Sequence, residues 1–185
     1  MSGKANRVCP VELAASLDNR IRRWFQNPQK ILKPYIKEGM TVLDLGCGPG
    51  FFTIDIAQMV GKCGRVIASD LQEGMLKKLS DKISGTELEE RISLHQCEEN
   101  RIGLSETVDF VLAFYMLHEV SGQEELLGEI ASLLKPDGQL FIVEPPFHVS
   151  KSEFNETIKK ARKAGLDLVE TPRVLFSKAV IFIKC

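Results

Sequence analysis

Thr41-Val-Leu-Asp-Leu-Gly-Cys-Gly-Pro-Gly50 decides how this chain is read. Thr41 to Leu45 is a short, mostly apolar run between Gly39 and Gly46, the pattern of a strand buried on both faces. Gly46 and Gly48 then supply a tight turn in which backbone can approach a ligand without meeting a Cβ. Phe51 to Val60 carries apolar residues at helical spacing and stops at Gly61. A strand, a glycine turn and a helix in that order form the ligand-holding corner of an open α/β sheet.

The same alternation continues downstream. Strands are expected at 65–69, 91–95, 108–114 and 139–143, with helices at 73–83 and 123–134 between them. Lys135-Pro-Asp-Gly138 should break the chain before the strand at 139. A helix at 152–164 and strands at 166–169 and 179–183 complete the series. Strands alternating with helices imply a mostly parallel sheet covered on both faces. No helix separates the last two strands, so they should pair antiparallel. The 185 residues read as a single domain, with residues 1–36 as a helical cap over the strand ends and 37–185 as the core. In the cap, Ile21, Trp24 and Phe25 are expected to bury against the domain.

Composition narrows the function. The formal net charge is −1 with acids and bases interspersed, so neither nucleic acid nor an anionic membrane surface is indicated as a partner. No stretch approaches the apolar length of a membrane helix. Five cysteines, odd in number and without a C-x-x-C pair, suit reduced thiols and a cytoplasmic location better than a disulfide framework or zinc ribbon. Oligomeric state is not written in the sequence.

The turn itself discriminates between ligands. Dinucleotide folds favour G-x-G-x-x-G, which holds a pyrophosphate on the helix N-terminus. Here the glycines read G-x-G-x-G, and Asp44 stands inside the strand just before them. A carboxylate there would repel a pyrophosphate and suits an ammonium, such as that of the methionine portion of S-adenosylmethionine. Asp70 ends the second strand, placed to accept both hydroxyls of a ribose. Glu98 follows the third strand, placed to accept from an adenine amino group. NAD-binding proteins also use an acid at the position of Asp70, so that residue does not separate the classes.

Val42-Leu-Asp-Leu-Gly-Cys-Gly-Pro-Gly50 resembles the first motif of the class I S-adenosylmethionine-dependent methyltransferases. Val66-Ile-Ala-Ser-Asp70, Val108-Asp-Phe-Val-Leu-Ala113 and Leu134-Lys-Pro-Asp-Gly-Gln-Leu-Phe-Ile142 match further family positions. The look is that of small-molecule enzymes such as the ubiquinone/menaquinone-biosynthesis methylases. The resemblance implies a Rossmann-like, seven-stranded, mostly parallel sheet of order 3-2-1-4-5-7-6, with strand 7 antiparallel. It implies Gly46, Cys47 and Gly48 at the methionine end of the cofactor, Asp70 on the ribose and Leu71 against the adenine. Cys97 and Glu98 would take the adenine edge, and Ala113 and Phe114 would lie near the sulfonium. Many relatives carry Gly-Asp where this chain has Cys97-Glu98.

Methyl transfer needs alignment, exclusion of water, and a base only where the acceptor arrives protonated. Tyr115, His118 and Glu119 follow strand four, and Glu144 and His148 follow strand five. His118 or Glu144 is expected as base or acceptor-orienting group, with Tyr115, Glu119, His148 and Arg22 facing a small-molecule acceptor. His118-Glu119 would equally serve to cap the next helix. No metal is expected: His118-Glu119 lacks the second histidine of H-E-x-x-H, and Cys9, His118, Glu144 and His148 form at best a loose set. Thiol-based arsenic methylation would have only Cys9 free to reach an acceptor. NAD-linked oxidoreduction and a non-catalytic methylase-like binding domain remain the alternatives.

Overall fold

Strand β1 (Thr41–Leu45) runs parallel to β2 (Arg65–Asp70) on one side and to β4 (Val108–Phe114) on the other. It is therefore central, in agreement with its apolar sequence. The computed structural model describes residues 20–184. It adds β3 (Ile92–Gln96), β5 (Leu134–Glu144), β6 (Leu166–Glu170) and β7 (Lys178–Lys184) to give one seven-stranded sheet of order β3-β2-β1-β4-β5-β7-β6. β7 pairs antiparallel with both β5 and β6. Order and strand direction match those expected from the family resemblance.

Alternation along the strands fills two cores. Val42, Phe110, Leu112, Phe141 and Val143 face one side, where α2 (Pro28–Leu32), α3 (Thr53–Met59) and α4 (Glu73–Ile83) supply Leu32, Ile56 and Leu79. Leu43, Leu45, Val111, Leu140 and Ile142 face the other, covered by Leu127 and Ile130 of α5 (Gln123–Leu133) and Phe154 of α6 (Lys151–Lys163). Val108 joins the face of Val111 because the register shifts between Val108 and Phe110.

That shift also explains the break expected at Lys135–Gly138. β5 begins at Leu134, earlier than expected, but pairing jumps from Leu134 to Gln139 and Asp137 takes a φ of 62°. The turn survives as a bulge inside the strand. Asp109 secures it, accepting from Lys135 Nζ and from the Thr41 N–H at 2.8 Å each.

Helix ends follow their sequence signals. Asn27 caps α2 by accepting from the Lys30 N–H, with Pro28 at the first position. Ser150 and Glu153 form a reciprocal capping box at the start of α6. The cap region differs from expectation. Its described part holds only α1 (Arg20–Phe25) and α2; Cys9 and the helical pattern from Val11 to Asn19 lie outside the described residues. Trp24 is 79% exposed and Phe25 43% exposed, so these aromatics do not bury as expected. The physical reason is the polar face of a six-residue helix. Arg23 pairs with Asp55 at 2.8 Å, and Arg22 and Gln26, one turn apart, bond to each other beside the sheet. Trp24 and Phe25 stay largely exposed, edge to face with one another at 4.6 Å between centroids. Among the described residues no helix is long and apolar enough to cross a membrane.

Ser150→Ala removes one hydrogen bond of the α6 capping box. Unfolding in urea should show a loss of about 1 kcal/mol, and Tm should fall by roughly 2–4 °C. Unchanged stability would show that the box contributes nothing.

Candidate functional site: a cavity at the strand ends

The carboxyl ends of β1, β2 and β4 open into a cavity of about 660 Å³, within the range of small-molecule and cofactor sites. The glycine turn forms its floor. Gly46 (φ 72°) and Gly48 (φ 54°) lie in the left-handed region, which few other residues adopt without strain. A Cβ on Gly46 would come within 2.8 Å of Met116 Cβ, so the turn and the end of β4 can close on one another only because it is absent. The N–H groups of Gly46 and Cys47 donate to the Ser69 carbonyl at 2.8 and 3.0 Å, which fastens the turn to β2.

Asp70 completes that fastening. One carboxylate oxygen accepts from the Gly48 N–H at 2.8 Å and the other from the Gln72 N–H at 2.9 Å. An ionised carboxylate offers about four acceptor positions, so Asp70 keeps roughly half of its capacity for a ligand in the cavity it lines. Burial raises its pKa, while the two backbone donors oppose the rise. Asp44 is 2% exposed and accepts from the Thr53 hydroxyl at 2.6 Å. Burial pushes its pKa up to about 7; Thr53 opposes this, the Asp70 charge adds to it, and Arg22 opposes it. A buried acid with its pKa raised this far, in a cavity wall, marks a candidate functional site.

Of the other expected residues, Cys47, Leu71, Cys97, Glu98, Phe114, Tyr115, Glu119 and Arg22 also line this cavity. Burial raises the thiol pKa of both Cys47 and Cys97, which favours the thiol over the thiolate. Ala113 is fully buried between β1 and β5 and does not reach the wall. Phe114, one residue on, does, and packs at 4.3 Å between centroids on Phe52.

His118, Glu144 and His148 are brought together, but not into the cavity wall. Glu144, 2% exposed at the end of β5, accepts from the His118 backbone N–H at 3.0 Å. Its other oxygen lies 2.5 Å from His118 Nδ1. The His148 ring stacks parallel to that of His118 at 6.2 Å. Glu144 thus holds the short 3₁₀ turn Leu117–Glu119. What that turn presents to the cavity is Glu119, whose pKa burial raises to about 7; His118 opposes the rise, and Asp70 and Glu144 add to it.

Tyr115 has a role that its sequence does not reveal. It adopts a φ of 59°, an uncommon conformation for an aromatic residue. Its hydroxyl accepts from Gln26 Nε2 at 2.6 Å and lies 2.6 Å from Ser177 Oγ, which in turn donates to the Leu175 carbonyl. One phenol therefore bolts α1, the end of β4 and the β6–β7 loop together. That loop contributes Leu175 and Phe176 to the wall, and Phe176 is again strained, with a φ of 54°. Phe51, Phe52, Gln26, Met116, Leu175 and Phe176 were all missed as site residues. Only the apolar run Val174-Leu175-Phe176 in the β6–β7 loop offered a signal. Among the described residues no three His, Cys, Asp or Glu side chains are placed to hold a metal ion.

Tyr115→Phe deletes both contacts of the bolt. Stability to urea should fall by about 1–2 kcal/mol, and amide exchange in α1 and the β6–β7 loop should accelerate while that of β1 does not. Unaltered exchange in both segments would contradict the bolt.

Comparison with known proteins places this geometry. Residues 36–173 match the family of methyltransferase domains. The fold superposes on the crystal structure of an S-adenosylmethionine-dependent methyltransferase from Aquifex aeolicus with a TM-score of 0.87 and 30% identity, covering 96% of this chain and 100% of that one. Over 110 residues the chain is 36% identical to demethylmenaquinone methyltransferase of Lactobacillus johnsonii, which is 59% of this chain and 45% of that protein. It is 30% identical to the ubiquinone/menaquinone biosynthesis C-methyltransferase of Enterobacter sp. strain 638 over 59% of this chain and 44% of that protein. The matched region thus spans less than half the length of these two curated relatives.

Proposed function

We propose, because the chain belongs to the class I S-adenosylmethionine-dependent methyltransferases, that it transfers a methyl group from this cofactor to a small, largely apolar acceptor. One observation carries the reading: Asp44 and Asp70 flank a glycine turn in a single cavity. The cavity fits the cofactor group by group. Asp44 receives the ammonium, the Gly46–Gly48 backbone receives the methionyl chain, and the spare lone pairs of Asp70 receive the ribose hydroxyls. Leu71, Cys97 and Glu98 take the adenine. Phe114 and Tyr115 close the space around the reacting carbon. The described residues act as one methyltransferase domain, with α1 and α2 ahead of the core.

Bound S-adenosylmethionine supplies a methyl carbon activated by a positive sulfur. The protein's part is to align, to exclude water and to handle a proton. Aromatic and aliphatic wall residues, Phe51, Phe52, Phe176 and Leu175 among them, favour an apolar acceptor and exclude water. The names of the quinone-pathway relatives agree with such a molecule. Where the acceptor carries a proton, Glu119 accepts it, since a carboxyl group near pKa 7 takes a proton efficiently at neutral pH. His118 and Glu144 act through Glu119 as positioning residues.

Calorimetry with S-adenosylhomocysteine and with NAD tests the site. The first should bind and the second should not. Because Asp44 in the unliganded protein titrates at about 7, its anion forms as pH rises, and affinity for the ammonium-bearing ligand should strengthen with it. Binding at pH 6 should be about tenfold weaker than at pH 8. Asp44→Asn should abolish that pH dependence and most of the affinity. Binding of NAD, or a flat pH profile in the wild type, would overturn the reading. Release of S-adenosylhomocysteine from S-adenosylmethionine on adding apolar phenolic acceptors separates a transferase from a domain that only holds the cofactor.

A further inference from the structure

The loop that follows β3 and the segment that leads into α5 both line the cavity, through Glu98, Glu99 and Ile102 of the first and Glu119 and Val120 of the second. They are fastened to each other at two points. At the first, Asn100 Oδ1 accepts from the Gly122 N–H at 2.9 Å and from the Ser121 hydroxyl at 3.0 Å. Gly122, just before α5, has no side chain of its own to hold the helix start, and a Cβ there would stand 3.0 Å from Asn100 Oδ1. At the second, the direction is reversed. Glu129, within α5, accepts from the Ile102 N–H at 2.8 Å and the Gly103 N–H at 2.7 Å. A loop side chain thus holds the helix start, and a helix side chain holds the loop backbone. The loop is closed on itself by a bridge between Glu98 and Arg101, and the Cys97 N–H donates to the Asp70 carbonyl at 3.1 Å.

Asn100 follows directly on Glu98-Glu99, and its partners Ser121 and Gly122 stand just beyond Glu119-Val120. Its carbonyl oxygen is therefore a direct tie between the segment beside the adenine and the segment that carries the proton acceptor. With Glu129 fixing the far end of the loop to α5, a nucleoside that orders Glu98 and Glu99 also removes freedom at Ser121 and Gly122. Sites joined in this way are coupled through the opening that both must give up on binding. We infer that Asn100 is a positioning residue that carries occupancy of the adenine pocket to Glu119. The nucleoside half of the cofactor, rather than its methionyl half, then steadies the turn Leu117–Glu119 for the acceptor. This rests on the proposed cofactor site and on the role of Glu119, and it adds an order of events: the cofactor binds first and readies the proton acceptor.

The test uses the full chain and 5′-methylthioadenosine, which carries the nucleoside without the amino or carboxylate groups of the cofactor. Amide exchange is read at Glu119 and Val120, whose N–H groups donate within their own turn to Met116 and Leu117 and not to Asn100. With the probe at about 100 times its Kd, exchange at these two amides in the wild type should slow roughly 10- to 100-fold. Asn100 is exposed, so Asn100→Ala leaves the core intact. At the same multiple of its own Kd, this variant should slow Glu119 and Val120 by less than about twofold, while the Glu98 amide, bonded within the loop, stays protected. Asn100→Asp keeps a side-chain oxygen for the same two donors and should restore the effect. Protection of Glu119 that persists in Asn100→Ala would mean that the probe reaches it without Asn100, and would overturn the inference. Protection of Glu98 without that of Glu119 in the wild type would overturn the coupling and leave the cofactor site standing. Failure of both methylthioadenosine and S-adenosylhomocysteine to bind the wild type would instead overturn the cofactor site itself.

Discussion

The hydrogen bond from the Gly48 N–H to the Asp70 carboxylate joins the turn after β1 to the end of β2, and the cavity depends on it. Together with the bonds from the turn to Ser69, it fixes the direction in which the remaining groups of the turn point. With it, the Ser69 carbonyl can hold Gly46 and Cys47, and the bare Cα of Gly46 can lie against Met116 at the end of β4. Three neighbouring strands are thereby locked at their carboxyl ends around one space. Asp70 is at once part of the scaffold and part of the wall, and its burial is compensated by backbone donors rather than by a cation.

Asp44 shows the opposite balance. It has one hydroxyl partner and a pKa lifted to about 7 by burial. Folding therefore favours its protonated form. Its folded pKa stands above the unfolded value, so this group's stabilising contribution is fully present below pH 4 and is lost as pH rises toward 7. Burying this carboxyl costs free energy wherever it is ionised. The cost is intelligible if a cation arrives later to complete the site, which is how strained and under-satisfied positions are generally distributed. Glu119 is poised at the same pKa for a similar reason: the His118–Glu144 pair holds its turn while the cavity removes its water.

The strand ladder was legible because buried parallel strands write themselves as short apolar runs between glycines; β1, β4 and α4 carry the expected boundaries. Asp44, Asp70 and the glycines were legible because they sit within three residues of those strand ends. What was not legible depends on distance along the chain. Glu144 reaches His118 across 26 residues, and Tyr115 reaches Gln26 across 89 and Ser177 across 62. Periodicity carries no information on such pairings. The exposure of Trp24 and Phe25 was misread for a different reason. In a six-residue helix anchored by Arg22, Arg23 and Gln26, polar contacts set the inward face and hydrophobicity does not.

A crystal structure with S-adenosylhomocysteine bound examines the central claim most directly. The account predicts ribose hydroxyls within hydrogen-bond distance of Asp70, the ammonium against Asp44 and the sulfur facing Phe114 and Tyr115. An adenosine bound with its ribose away from Asp70, or the ligand lying outside the cavity at the ends of β1, β2 and β4, would contradict it.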